Sequence, residues 1–88
     1  MDELLKELGI TESPVKSSNN TYVIDIADSD EFGKIYSKLD KSKHVDEIAS
    51  SSQMTYESAS IQFENDELLL TLMADFEEDN YKLTIKEL

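Results

Sequence analysis

Residues 58–88 read S-A-S-I-Q-F-E-N-D-E-L-L-L-T-L-M-A-D-F-E-E-D-N-Y-K-L-T-I-K-E-L. In the first part, Ala59, Ile61 and Phe63 alternate with Ser58, Ser60, Gln62 and Glu64. That period of two marks a strand with one buried face. The next run places Leu68, Leu70, Leu72, Ala74 and Phe76 on one side, and Leu69, Thr71, Met73 and Asp75 on the other. Its second side is also partly apolar, which predicts a central strand covered on both faces. Tyr81, Leu83 and Ile85 then alternate with Lys82, Thr84 and Lys86. Residues 64–67 and 77–80 are turn compositions, and Asn65-Asp66 suits a two-residue turn because both residues tolerate positive φ. The stretch therefore predicts a three-stranded antiparallel meander. Its middle run is the most apolar of the chain, so the remainder is built to cover it.

Working outward, residues 21–27 (T-Y-V-I-D-I-A) alternate in the same way, with Tyr22, Ile24 and Ile26 sharing a face. Asp28 then suits a helix N-cap, and Glu31 stands where a capping box places its acid. Phe32, Ile35, Tyr36 and Leu39 follow at i, i+3, i+4 and i+7, the apolar stripe of a helix, with Lys34, Lys38 and Lys41 off it. Gly33 inside that helix costs about 1 kcal/mol against alanine; a close approach to the sheet would explain it. Residues 2–8 predict a second, short helix with Leu4, Leu5 and Leu8 on one side, acids in its first turn and Gly9 as its C-terminal cap. Two turns of helix are marginal alone. This one is expected to dock on the Leu69/Met73 face of its own sheet, or else on a partner or a second copy.

Residues 11–20 (T-E-S-P-V-K-S-S-N-N) read as a linker, since Pro14 breaks a helix and Ser-Ser-Asn-Asn favours a loop. Residues 43–57 have the weakest pattern. A strand near 45–50 and a loose turn before Tyr56 are expected, with one long strand over 53–63 as the competing assignment. The 88 residues thus predict a single α+β domain: a short helix over 1–10, a linker over 11–20, and a core over 21–88. In that core, one amphipathic helix packs on an antiparallel sheet of four to five strands that ends in the meander.

Charge is the outlying property. The chain carries a net −12, and all eight of its cations are lysine. Residues 44–81 contain ten carboxylates and no lysine, which leaves about −2 for the rest. Affinity for nucleic acid comes largely from cations that displace counterions, and anionic membrane surfaces recruit the same cations. Direct binding to either is not expected. No cysteine is present, so disulfide and thiolate chemistry are out, in keeping with a reducing compartment. No run approaches the roughly 18 apolar residues of a membrane span, and the M-D-E start lacks the basic region of a signal peptide. A cytoplasmic protein is expected.

The motifs of chemistry fare poorly. Asp28-Ser29-Asp30 with Gly33 imitates the start of a calcium-binding loop, but the ligand positions five and twelve would fall on Phe32 and Leu39 of the apolar stripe. Capping accounts for the acids instead, and no metal site is assigned. His44 is the only histidine, without the partners that a nucleophilic triad or a zinc site needs. With twenty carboxylates, chance pairs carry no information, and two glycines make no phosphate loop. No catalytic residue and no cofactor are assigned, and an enzyme is not expected.

Two non-enzymatic functions are expected instead. In the first, Glu64, Asp66, Glu67, Asp75, Glu77, Glu78 and Asp79 present a negative surface to a protein partner with a basic, nucleic-acid-binding face. The chain would then imitate the phosphate track of DNA and steer association electrostatically. Small phage inhibitors of host enzymes are of this size and charge, an analogy of type only. Acids also belong in turns and keep a small protein in solution; what exceeds that background is the lysine-free interval. In the second, the chain is a structural or assembly subunit, such as a virion or complex component. Its contact is then an apolar face made by Leu4, Leu5 and Leu8 or by Leu69 and Met73, and a homo-oligomer is one form it would take.

Overall fold

The computed structural model describes residues 2–10 and 13–88. In chain order the elements are α1 (Asp2–Glu7), β1 (Val15–Ser18), β2 (Thr21–Ile26), α2 (Ser29–Lys41), β3 (Asp46–Glu47), a 3-10 turn (Ala49–Ser51), β4 (Gln53–Met54), β5 (Ser58–Glu64), β6 (Leu68–Asp75) and β7 (Asn80–Glu87). The protein is α+β. The seven strands of the described residues make one sheet in the order β1-β2-β7-β6-β5-β3, with β4 also on β5. Every pairing is antiparallel.

The period-two segments become the sheet's interior. Across the ladder Phe63 faces Leu70, Leu70 faces Ile85, and Leu72 faces both Ile61 and Leu83, while Ile24 closes the row against Leu83 from β2. All six are buried. Phe32, Ile35 and Leu39 of α2 pack on this face, and so do Leu4, Leu5 and Leu8. The three leucines of the N-terminal segment each stabilise by about 1.5–3 kcal/mol on burial, which outweighs the poor nucleation of a six-residue helix.

Both helices therefore cover the same face. The expectation of a second cover, and of α1 docked on Leu69 and Met73, is corrected: Leu69 is half-buried and Met73 is 38% exposed on the uncovered face. Their neighbours in register are Glu64 and Lys86 beside Leu69, and Ser60 and Lys82 beside Met73. Two apolar residues among such neighbours offer too little area to hold another layer.

The strand count also exceeds the expected four to five. The linker assignment for 11–20 is corrected over Val15–Ser18, which pairs with β2 as an edge strand. All four residues are exposed, so no alternation announced it, and Pro14 precedes it where an edge tolerates proline. Thr11 and Glu12 lie outside the described residues. Over 43–57 the expected strand near 45–50 is reduced to the two residues of β3, and the competing long strand over 53–63 is broken between β4 and β5. Two two-residue strands, β3 and β4, flank the 3-10 turn along β5. The serine run explains the break. Ser52 Oγ accepts the Gln62 N–H at 3.2 Å and donates to the Ile48 carbonyl at 2.9 Å, so a hydroxyl replaces the missing ladder bond.

Caps and turns follow local chemistry. Asp28 caps α2 by accepting the Glu31 N–H at 2.9 Å. The expected capping-box role of Glu31 gives way to an exposed pair with Lys34 at 3.4 Å. At the end of α1 the Ile10 N–H reaches the Leu5 carbonyl at 2.9 Å and the Gly9 N–H the Lys6 carbonyl at 3.1 Å, with Gly9 at φ +73°. This is a Schellman cap. Gly33 faces open space, so it makes no close approach to the sheet. The 64–67 turn works without positive φ: Asn65 Oδ1 accepts the N–H groups of Glu67 and Leu68 at 2.8 and 2.7 Å. Asp79, at φ 52°, is the one non-glycine residue with positive φ among those described.

Candidate functional site

The β6–β7 turn is closed by its own acids. Asp75 Oδ1 accepts the N–H groups of Glu77 and Glu78, each at 3.2 Å. Asp79 takes the left-handed conformation and accepts the Tyr81 hydroxyl at 2.9 Å. That bond, then burial, raises the Tyr81 phenol above its ordinary 10.0, and the charge of Asp28 adds to the rise. Asp28 can act there because aromatic packing joins the turn to the start of α2. The Phe32 ring centroid lies 5.7 Å from that of Tyr81 and 6.2 Å from that of Phe76, and Phe76 lies 6.1 Å from Tyr81. The Phe76 N–H donates to the Glu57 carbonyl at 2.9 Å, which brings in the residues leading to β5.

This end of the sheet thus gathers Asp75, Glu77, Glu78 and Asp79 with Asp28, Asp30, Glu31 and Glu57. Lys34 is the cation paired there, and its bond to Glu31 is exposed and weak. Chain position alone gave no sign that the helix cap and the turn would meet. Their junction depends on Phe32 and Phe76, which read as core residues in sequence.

Glu64, Asp66 and Glu67 sit at the opposite end. The eight residues of β6 put about 24 Å between the two groups at about 3.4 Å per residue. There Glu64 faces Asp46 in register, the Asn65 amide donates to the His44 carbonyl at 3.1 Å, and His44 Nε2 lies 3.6 Å from a Glu7 carboxylate oxygen. A hydrogen bond to Glu87, then its charge, raises the Tyr22 phenol above 10.0. The two acidic groups do not form one track across the uncovered face. Lys82 and Lys86 of β7 lie on that face, in register with Met73 and Leu69.

The apolar candidates divide as well. Leu4, Leu5 and Leu8 are buried in the protein's own core, so they offer no free face, and only Leu69 and Met73 remain on the surface. Beside β2 lies a cavity of about 380 Å³, floored by Leu8, Ile10, Ile24, Ile26 and Ile35, with Asp28 and Glu31 at its rim. Those two acids are engaged in capping and in the pair with Lys34. Phe32 and Leu39 are core residues, unavailable to a calcium loop. Among the described residues no three His, Asp or Glu side chains converge as a metal site, no polar or charged side chain is buried, and no helix is long and apolar enough to cross a membrane. Comparison with protein-family models, with curated proteins and with solved structures finds no match to this chain.

Proposed function

We propose that the chain is a non-enzymatic binding module whose β6–β7 end occupies a basic, nucleic-acid-binding surface of a partner protein, in the manner of a DNA mimic or phage-type inhibitor. The observation that supports this is the meeting of two acidic segments, 28–31 and 75–79, at one end of the sheet around a packed aromatic group. Held on a closed turn and a capped helix, these carboxylates are ordered before binding, so little conformational freedom is lost on docking. Their summed field favours encounter with a cationic surface.

The test is capture of the partner from source lysate by the wild type and by the triple variant Glu77→Gln, Glu78→Gln, Asp79→Asn. Asparagine tolerates the left-handed backbone at position 79, so the turn is kept. Capture is expected at about 0.05 M salt and lost at about 0.5 M, where the Debye length has shrunk to about 4 Å. The variant is expected to capture little at either. Equal capture by variant and wild type rules the proposal out.

One observation favours a second reading, the assembly subunit: Leu69 and Met73 lie on a sheet face that no helix of the described residues covers. A complex or oligomer that survives high salt and is broken by Met73→Asp would support it.

A further inference from the structure

We propose that Tyr56 is an aromatic anchor for an arginine-bearing surface on a protein partner. The proposal rests on the binding function above and names the chemistry that the partner presents. Tyr56 is 102% exposed, and nothing among the described residues covers it. The other tyrosines are buried or half-buried. A lone exposed aromatic needs no explanation, but this one has company. Met54, two residues earlier, is 63% exposed, and Phe76, 38% exposed, is tied to the same turn by its N–H on the Glu57 carbonyl at 2.9 Å. Three of the six exposed large apolar side chains of the described residues are therefore concentrated here.

The ring is presented on a fixed support. Thr55 Oγ1 accepts the N–H groups of Glu57 and Ser58 at 3.2 and 3.0 Å, and the Thr55 N–H donates to the Ser58 carbonyl at 2.8 Å. With two χ angles, a tyrosine loses little freedom when it is covered. Its surroundings select the occupant by charge. Glu57 adjoins it in sequence, Asp75 faces Ser58 across the ladder, and Glu77 follows Phe76. An apolar surface alone would cover Glu57 and Glu77 without offering their carboxylates a partner, while Asp75 already accepts the Glu77 and Glu78 N–H groups. A guanidinium satisfies both parts of the patch, because its planar fork bonds carboxylate oxygens in pairs while its face stacks on an aromatic ring. An ammonium is also drawn to a ring face, but it is more strongly hydrated and lacks the planar fork that stacks and bonds in pairs.

The experiment is an NMR titration of the intact protein with octa-arginine and with octa-lysine at about 0.1 M salt. Octa-arginine is expected to bind about two- to fivefold tighter, the value of one exposed cation–π contact, with the largest shifts at residues 54–57 and 75–79. Tyr56→Ala should weaken octa-arginine by about two- to fivefold and octa-lysine by less, so that the preference shrinks, while Tyr56→Phe retains it. The Ala variant loses no packing, so an unchanged urea midpoint excludes unfolding as the cause. Equal affinity for the two peptides, or a preference undiminished in Tyr56→Ala, overturns the anchor. The triple variant at 77–79 separates this from the function above. It should weaken both peptides alike; if it weakens neither while Tyr56→Ala still acts, the acidic-surface function fails and the anchor stands.

Discussion

Gly9 lies just past the end of one helix and Gly33 inside another, and their backbones predict opposite effects of the same substitution. Gly33 stands in the interior of α2 with open space where a Cβ would be added. Gly33→Ala is expected to stabilise the protein by about 1 kcal/mol, or about 4–8 °C in melting temperature for a domain of this size. Gly9 has φ +73°, and an added Cβ would lie 2.8 Å from Lys38 Nζ. That lysine end can move aside, so the cost comes from the left-handed backbone, about 1–2 kcal/mol. Thermal or urea unfolding of the two variants checks both. A loss in Gly33→Ala would show that α2 approaches something at that position after all.

Among the elements, α1 shows most clearly what patterning carries. Its leucines announced an apolar side but not which surface would receive it, and the surface is the one that α2 already shares. Leu8→Ala is expected to destabilise by about 2–5 kcal/mol, whereas Met73→Ala, on the uncovered face, should change stability by no more than about 0.5 kcal/mol. Chemical denaturation of the two variants distinguishes this arrangement from one in which α1 lies over Met73. The same contrast marks what was legible in the sequence. β2, β5, β6, β7 and α2 each bury one face, so their periods stood out. β1, β3 and β4 bury none. They are held by ladder bonds and by the Ser52 hydroxyl, and backbone pairing leaves no apolar period to read. At the candidate site the run 75–79 was visible as charge. Its junction with 28–31 was not, because that comes from tertiary contacts of Phe32 and Phe76; nor was the presentation of Tyr56, because a polar turn held by Thr55 leaves no apolar period.

At the scale of the molecule, a net −12 reaches even the tyrosines. The phenols of Tyr22, Tyr36 and Tyr81 are all raised above 10.0, Tyr22 and Tyr81 chiefly by carboxylates that accept from them, Tyr36 chiefly by burial. A phenol that holds its proton more firmly in the fold than in the unfolded chain contributes stability that is complete below about pH 10 and is lost as the pH rises past its folded value. The urea midpoint is therefore expected to be level from about pH 8 to just below pH 10 and to fall by pH 11, less so at high salt, since ions screen the repulsion among the anions. A midpoint that holds through pH 11 would show that these neighbours do not act on the phenols.

The order of strands has a consequence for how the chain is made. β7 is the last of the described strands in sequence, yet it lies inside the sheet between β2 and β6, and it pairs Thr21 with Lys86. A chain still on the ribosome and not yet through residue 87 holds an early hairpin and a later one with no strand to join them. Closing that long loop is the slow step of such a topology. Until then the apolar rows of β2 and β6 stay bare, and a product broken off before Asn80 would keep them bare permanently, as a substrate for chaperones and proteases.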